Sequence, residues 1–131
     1  MQNHHYGFGK TVALTPEQAE ARVTETLKSK GFGVLTRIDV AATLKQKMGK
    51  DIPPYVILGA CNPQFAHQAL QAEPEIGLLL PCNVVVYQDS NAQVHVSAMD
   101  PEPVLNMVGN PRVAPVAAQV KTLLHEALEA V

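Results

Sequence analysis

Residues 54–87, PYVILGACNPQFAHQALQAEPEIGLLLPCNVVVY, contain two short apolar segments separated by a helical pattern. Tyr55–Ala60 is apolar throughout, as is typical of a strand covered on both faces, and Asn83–Tyr87 is a second strongly apolar strand. Between them, Asn62 stands at the position of a helix N-cap, and the proline that follows is favoured as the first residue of a helix. A helix is therefore predicted from Pro63 to about Ala72, linking two central strands.

The residues before this stretch predict two strand–helix pairs. Tyr6–Leu14 alternates between a mostly apolar side and a side of small residues, which predicts a first strand. Thr15 and Gln18 have the spacing of a capping box, so a helix should begin there and end at Gly31. The next predicted elements are a strand, Phe32–Ile38, and a shorter helix from Asp39 to Met48.

The residues after the central stretch predict a hairpin and a long helix. Asp89, Ser90 and Asn91 indicate a turn, and Gln93–Met99 alternates as the return strand, with one polar face. A loop with one short helical piece follows. From Arg112 to Val131 the apolar residues lie on one stripe, which predicts an amphipathic helix.

The predicted order is β-α-β-α-β-α-β-β-α in a single domain, residues 1–131. This order favours the α+β class, a two-layer sandwich with helices packed on one face of a sheet. No G-x-G-x-x-G or Walker lysine loop is present, so the usual markers of nucleotide-binding folds are absent. The other face of the sheet must be solvated or covered by a second subunit, and we expect a homodimer because isologous dimers are the commonest oligomers.

Charge and hydropathy exclude two classes of partner. The chain has 10 Lys and Arg against 12 Asp and Glu, a formal charge of −2, and its basic residues form no stripe of the kind that binds nucleic acid. Its longest apolar run, Ile76–Pro81, is far shorter than the ~20 residues that cross a bilayer, and no leader opens the chain. We therefore expect a cytoplasmic protein that binds neither nucleic acid nor membrane.

Three segments resemble the family called domain of unknown function 302: KGFGVLTRIDVAATLK at 30–45, the stretch at 54–87, and VSAMDP at 96–101. The resemblance covers nearly the whole chain. It implies a small α+β domain with a curved, largely antiparallel sheet, helices on one side and frequent dimers. It implies no established reaction, cofactor or catalytic residue, so the cofactor is unknown.

The two cysteines, Cys61 and Cys82, flank the predicted central helix and turn. Cys61 precedes a helix N-terminus, where the helix dipole favours a thiolate and lowers the thiol pKa. The sulfurs come within reach if the two central strands are antiparallel neighbours, and lie at opposite sheet ends if the strands are parallel.

Three interpretations of the pair remain open. Both are small buried hydrophobes; or Cys61 is a reactive thiol that Cys82 resolves; or the sulfurs bind a metal with His67 or His95. The sequence lacks the C-x2-C and H-x3-H spacings of zinc sites, which disfavours the metal.

Two hypotheses for the function follow. The favoured one is a non-enzymatic dimeric module that binds a small ligand or a partner at a pocket formed by the ACNP, PCN and SAMDP turns. The alternative is a thiol-dependent redox protein or a metal-binding protein, and no catalytic triad is recognisable. The residues expected to line the pocket are Cys61, Asn62, Cys82, Asn83, Ser97 and Asp100.

Overall fold

Six strands form one sheet in which every neighbouring pair is antiparallel. The computed structural model describes all residues, 1–131. The strands are β1 (Gln2–His4), β2 (Gly7–Val12), β3 (Gly33–Asp39), β4 (Tyr55–Cys61), β5 (Cys82–Gln88) and β6 (Val94–Met99). Their order across the sheet is β1-β2-β6-β5-β4-β3. The predicted α+β class and the antiparallel sheet are confirmed.

Five α-helices and one 3-10 helix complete the chain. They are α1 (Pro16–Ser29), α2 (Val40–Met48), α3 (Pro63–Ala72), the 3-10 helix Pro74–Leu79, α4 (Pro101–Asn106) and α5 (Ala114–Glu129). The long helices α1 and α5 pack on one face of the sheet and against each other. None of the helices is both long and apolar enough to cross a membrane.

Local chemistry sets the ends of α1 and α2 as the sequence predicts. The Gln18 amide donates to Thr15 Oγ1 over 3.1 Å, and the Thr15 amide donates to Gln18 Oε1 over 3.0 Å, which completes the capping box. Asp39 Oδ1 accepts from the Ala42 amide over 2.9 Å at the start of α2. Gly49 ends that helix in the left-handed conformation, with φ of 66°.

Two local features differ from the sequence predictions. β1 forms a short hairpin with β2, pairing Gln2 with Gly9, although its polar residues carry no periodic pattern that would predict a strand. Asn62 occupies the N-cap position of α3, but its side chain makes no capping bond. Its amide Nδ2 instead contacts the Lys30 carbonyl at 3.5 Å, so α3 begins through Pro63 and the backbone alone.

Even-numbered residues of the three central strands face the helices. Leu58, Val84, Val86 and Val96 are at most 2% exposed there. They pack with the apolar stripes of α1 and α5, which contain Val23, Leu27, Ala117, Val120, Leu124 and Leu128. Burying each of these Val or Leu side chains stabilises the fold by about 1.5–3 kcal/mol, so this layer supplies most of the driving force for folding.

Odd-numbered residues of the same strands point to the opposite side, which we call the open face because no helix layer covers it. Strand pairing arranges them in three rows that cross β4, β5, β6 and β2. The first row is Tyr55, Tyr87, His95 and Thr11, and the second is Ile57, Val85, Ser97 and Gly9. The third continues the same register with the pairs Gly59–Asn83 and Met99–Gly7. The rows run from aromatic at one end to glycine-rich at the other.

Glycine is required at two points on this face because neighbours fill the space of a Cβ. At Gly9 an added Cβ would lie 2.6 Å from the Val96 carbonyl oxygen and collide with Ser97 Oγ. At Gly59 it would lie 2.8 Å from Pro81 Cγ and collide with Thr36 Oγ1. Any residue with a Cβ would therefore clash at these two positions.

We expect Gly9→Ala to lower the free energy of unfolding by about 1–3 kcal/mol, because the methyl group overpacks against β6. Urea unfolding followed by circular dichroism measures the loss. Gly77→Ala is the matched control, since no atom lies within 4 Å of a Cβ there. A loss for Gly9→Ala no larger than that of the control would contradict the close approach of β2 and β6.

Candidate functional site

A groove of about 540 Å³ lies on the open face. Tyr55 and Tyr87 of the first row border it on one side, and His4 and Tyr6 of the β1–β2 hairpin border it on the other. The rest of the lining comes from Gly7, Asn83, Val85, Ser97, Ala98, Met99 and Val104. No Lys, Arg, Asp or Glu is among these residues. The groove is therefore aromatic, partly polar and free of formal charge from acidic or basic side chains.

Three rings stack along the first row. Tyr55 and Tyr87 have ring centroids 5.3 Å apart, Tyr87 and His95 have centroids 4.9 Å apart, and both pairs are tilted by 22°. Each ring belongs to a residue directly paired with the next one across the sheet. Such cross-strand aromatic pairs stabilise a sheet and hold each other upright, so the row is a fixed wall of the groove.

Hydrogen bonds anchor the His95 end of this wall. His95 Nε2 lies 2.7 Å from Asp89 Oδ2, and His95 Nδ1 lies 3.2 Å from Thr11 Oγ1, so both ring nitrogens are engaged. The hydrogen bond to His95 holds the pKa of Asp89 below its usual range, and a bond from the Gln93 amide acts in the same direction. This arrangement positions the ring and leaves neither nitrogen free to bind a metal.

Several polar groups face the groove without a partner in the chain. They are the Asn83 amide, the Ser97 hydroxyl and the phenol groups of Tyr55 and Tyr87. All four come from residues on the same side of the sheet, and all four residues line the same groove. An apolar groove with a few convergent polar groups is the usual form of a small-molecule site.

The structure divides the six residues predicted to line one pocket among three places. Asn83 and Ser97 line the groove. Cys61, Asn62 and Cys82 line an apolar cavity of about 30 Å³ beside α3 and α5, which holds no more than a water-sized guest. The reason is side-chain alternation, since Cys82 and Asn83 are consecutive in β5 and point to opposite faces.

The sixth residue, Asp100, lies in neither place. It is 9% exposed, and its Oδ1 accepts from the Glu102 amide over 3.0 Å at the start of α4. Its Oδ2 lies 3.1 Å from Lys121 Nζ, which raises the pKa of that lysine. Asp100 therefore links the start of α4 to α5 through its hydrogen bond and its ion pair.

His67, the other histidine predicted as a possible metal ligand, is exposed on α3.

The two thiols sit where β4 and β5 meet. These strands are antiparallel neighbours with Ala60 paired to Cys82, and both cysteines are free. Burial raises the pKa of Cys61, and burial raises the pKa of Cys82 to about 12, with a smaller contribution from Cys61. The expectation of a lowered pKa at Cys61 was wrong, because burial of the thiol raises its pKa.

Sequence reasoning missed Tyr55, Tyr87 and Met99 as groove residues. These residues stand at odd positions of strands whose even positions are apolar up to Val86, which could have indicated a second face, but tyrosines also suit a buried strand. A wider depression of about 740 Å³ lies between the turn that joins β5 to β6 and the start of α1. It has no aromatic lining and is more open, so the groove is the better candidate.

We expect both thiols of the native protein to react slowly with iodoacetamide at pH 7.5, because a raised pKa leaves little thiolate. Cys61 should react first since it is partly exposed, and Cys82 only on unfolding. Mass spectrometry of the alkylated peptides over time measures this order. Cys61→Ser is the control and should abolish native alkylation. Fast reaction of Cys61, as rapid as that of a free thiolate, would contradict the raised pKa.

The chain matches the model of a known protein family and superposes closely on a solved structure. The family model described as domain of unknown function DUF302 matches residues 8–131. The crystal structure of the uncharacterized conserved protein DUF302 from Bacillus stearothermophilus is 32% identical in sequence and superposes with a TM-score of 0.90. The match covers 97% of this chain and 98% of that chain.

Sequence similarity also extends to longer proteins. Fluoride-specific ion channel FluC 1 of Brucella suis is 34% identical over 80 residues, which cover 61% of this chain and 31% of that protein. FluC 1 of Brucella abortus is 34% identical over 80 residues and is covered over 29% of its length. The match thus spans about three-tenths of these relatives. The family match over residues 8–131, together with the agreement in fold, shows that this chain belongs to the DUF302 family.

Proposed function

We propose that the protein is a non-enzymatic binding module and that its small-molecule ligand occupies the groove on the open face. The observation that carries the proposal is the groove itself, an aromatic and apolar volume with unpartnered polar groups on a rigid sheet. Its size of about 540 Å³ falls in the range of roughly 300–1,000 Å³ that is typical of ligand pockets.

The chemistry of the nearby residues supports binding over catalysis. A general base must reach the substrate, and His95, which Asp89 and Thr11 hold in place, is not among the residues that line the groove. A thiol nucleophile needs thiolate at neutral pH, and the raised pKa values of Cys61 and Cys82 disfavour it. Stacked rings, an amide and a hydroxyl are instead groups that hold a ligand.

We also propose that the protein is a homodimer and that the second copy covers the strip of the open face next to the edge strand β3. Ile38, which is 49% exposed, pairs with Ile57 there, and both side chains belong to the open face. An isologous contact at this strip would bury the two isoleucines of each copy against the same residues of the other. The groove, on the far side of Tyr55, would stay accessible.

We expect an NMR screen of neutral, anionic and cationic fragments to move the backbone signals of Asn83, Val85 and Ser97. Val85→Trp fills the groove from its floor and should weaken any such binding at least tenfold. Leu78→Ser is the control, because Leu78 is 82% exposed on the 3-10 helix, outside the groove. If no fragment of any class moves these signals, or if Val85→Trp binds as the wild type does, the groove is not the site.

We expect Ile38→Glu to convert the dimer to a 14.1 kDa monomer, because it buries a charge in the proposed contact. Sedimentation velocity over a concentration series measures the mass. Leu78→Glu, which adds the same charge elsewhere, should remain dimeric. A wild-type protein that is monomeric at all concentrations, or an Ile38→Glu variant that stays dimeric, would overturn this part of the proposal.

A further inference from the structure

We infer that the groove selects uncharged aromatic molecules of about two fused rings that carry one hydrogen-bonding group. The inference rests on the proposed function and names the ligand class of the same site. It is carried by three features of the groove: the charge of its lining, the spacing of its walls and the position of its polar groups.

The first feature is the charge of the lining. All eleven lining residues are apolar or neutral polar side chains apart from the imidazole of His4. Asp89, the carboxylate that contacts the first row, is already engaged by His95 at 2.7 Å. A charged ligand would lose hydration in this groove without gaining a counter-charge, which disfavours it strongly. An uncharged ligand meets no such cost.

The second feature is the spacing of the aromatic walls. One wall is the stacked row ending in Tyr55, and the other is the edge-on pair of His4 and Tyr6, whose ring centroids are 4.4 Å apart. His4 pairs with Gly7 in the third row, and four residues of β6 separate that row from the first. Four residues of a strand span about 13 Å, and β1 also lies three strands away from β5, so the floor between the walls is long enough for a molecule of two fused rings.

The third feature is the floor and its polar groups. Ser97 lies in the middle row and Asn83 in the third, so a hydroxyl and an amide are available to one substituent of a ring lying between the walls. Flat rings favour stacked or edge contacts with the tyrosines, whereas a saturated ring of the same size gains less.

The test is a titration of the full chain, followed by ¹H–¹⁵N NMR, with four probes: indole, indole-3-acetate, tryptamine and cyclohexanol. Indole should move the signals of Val85, Tyr87 and Ser97 in a saturable way. The anionic and cationic indoles and the non-aromatic alcohol should bind at least tenfold more weakly. Tyr87→Leu should weaken indole binding about 3- to 10-fold, and Ser97→Ala about 2- to 10-fold. Leu78→Ser should leave it unchanged.

Different results would overturn different parts of the account. Charged indoles that bind the groove as tightly as indole would refute the selection for neutral ligands, and cyclohexanol binding equal to that of indole would refute the aromatic selection. Both outcomes leave the groove as a binding site. If indole fails to bind while fragments of another class move the groove signals, the ligand class is wrong and the proposed function stands. Variants that do not give a folded spectrum are replaced by Asn83→Ala, whose side chain is exposed.

Discussion

The alternation of side chains along antiparallel β5 is the constraint on which the rest of the structure depends. Val84 and Val86 enter the core at 0% and 2% exposure, while Val85 between them reaches the open face. Pairing with β4 and β6 repeats this division across the sheet. A slip of one residue in register would exchange the two faces, burying Tyr87 and Asn83 and exposing the valines, so the core specifies the register.

One strand therefore builds both the core and the groove. The same register that places Val86 against the helices stacks Tyr87 between Tyr55 and His95. The helix side supplies the free energy of folding through burial, and the open face carries few residues that the fold needs. Glycines are the exception, because Gly9 and Gly59 are fixed by close neighbours. The open face can therefore carry polar and aromatic side chains that the buried face of the sheet would not tolerate.

Much of the fold follows from local sequence because local chemistry decides it. The capping box at Thr15, the left-handed Gly49 and the apolar strand at Tyr55 each act within a few residues, and each appears where the pattern predicts it. The order of the strands depends on contacts between distant segments, and periodicity alone does not determine it. The polar strand β1 carries no pattern and gains its order from pairing with β2.

The candidate site likewise could not be predicted from local sequence alone. Cys82 and Asn83 were predicted to line one pocket because they are adjacent in sequence, but consecutive residues of a strand point to opposite faces, so Cys82 lies in the core and Asn83 in the groove.

The most direct test of this account is the relaxation of methyl NMR signals by a soluble, inert gadolinium chelate. The account predicts strong relaxation of the Val85 and Met99 methyls and little effect on those of Val84 and Val86. Equal relaxation of the three valines, or full protection of Val85, would contradict it.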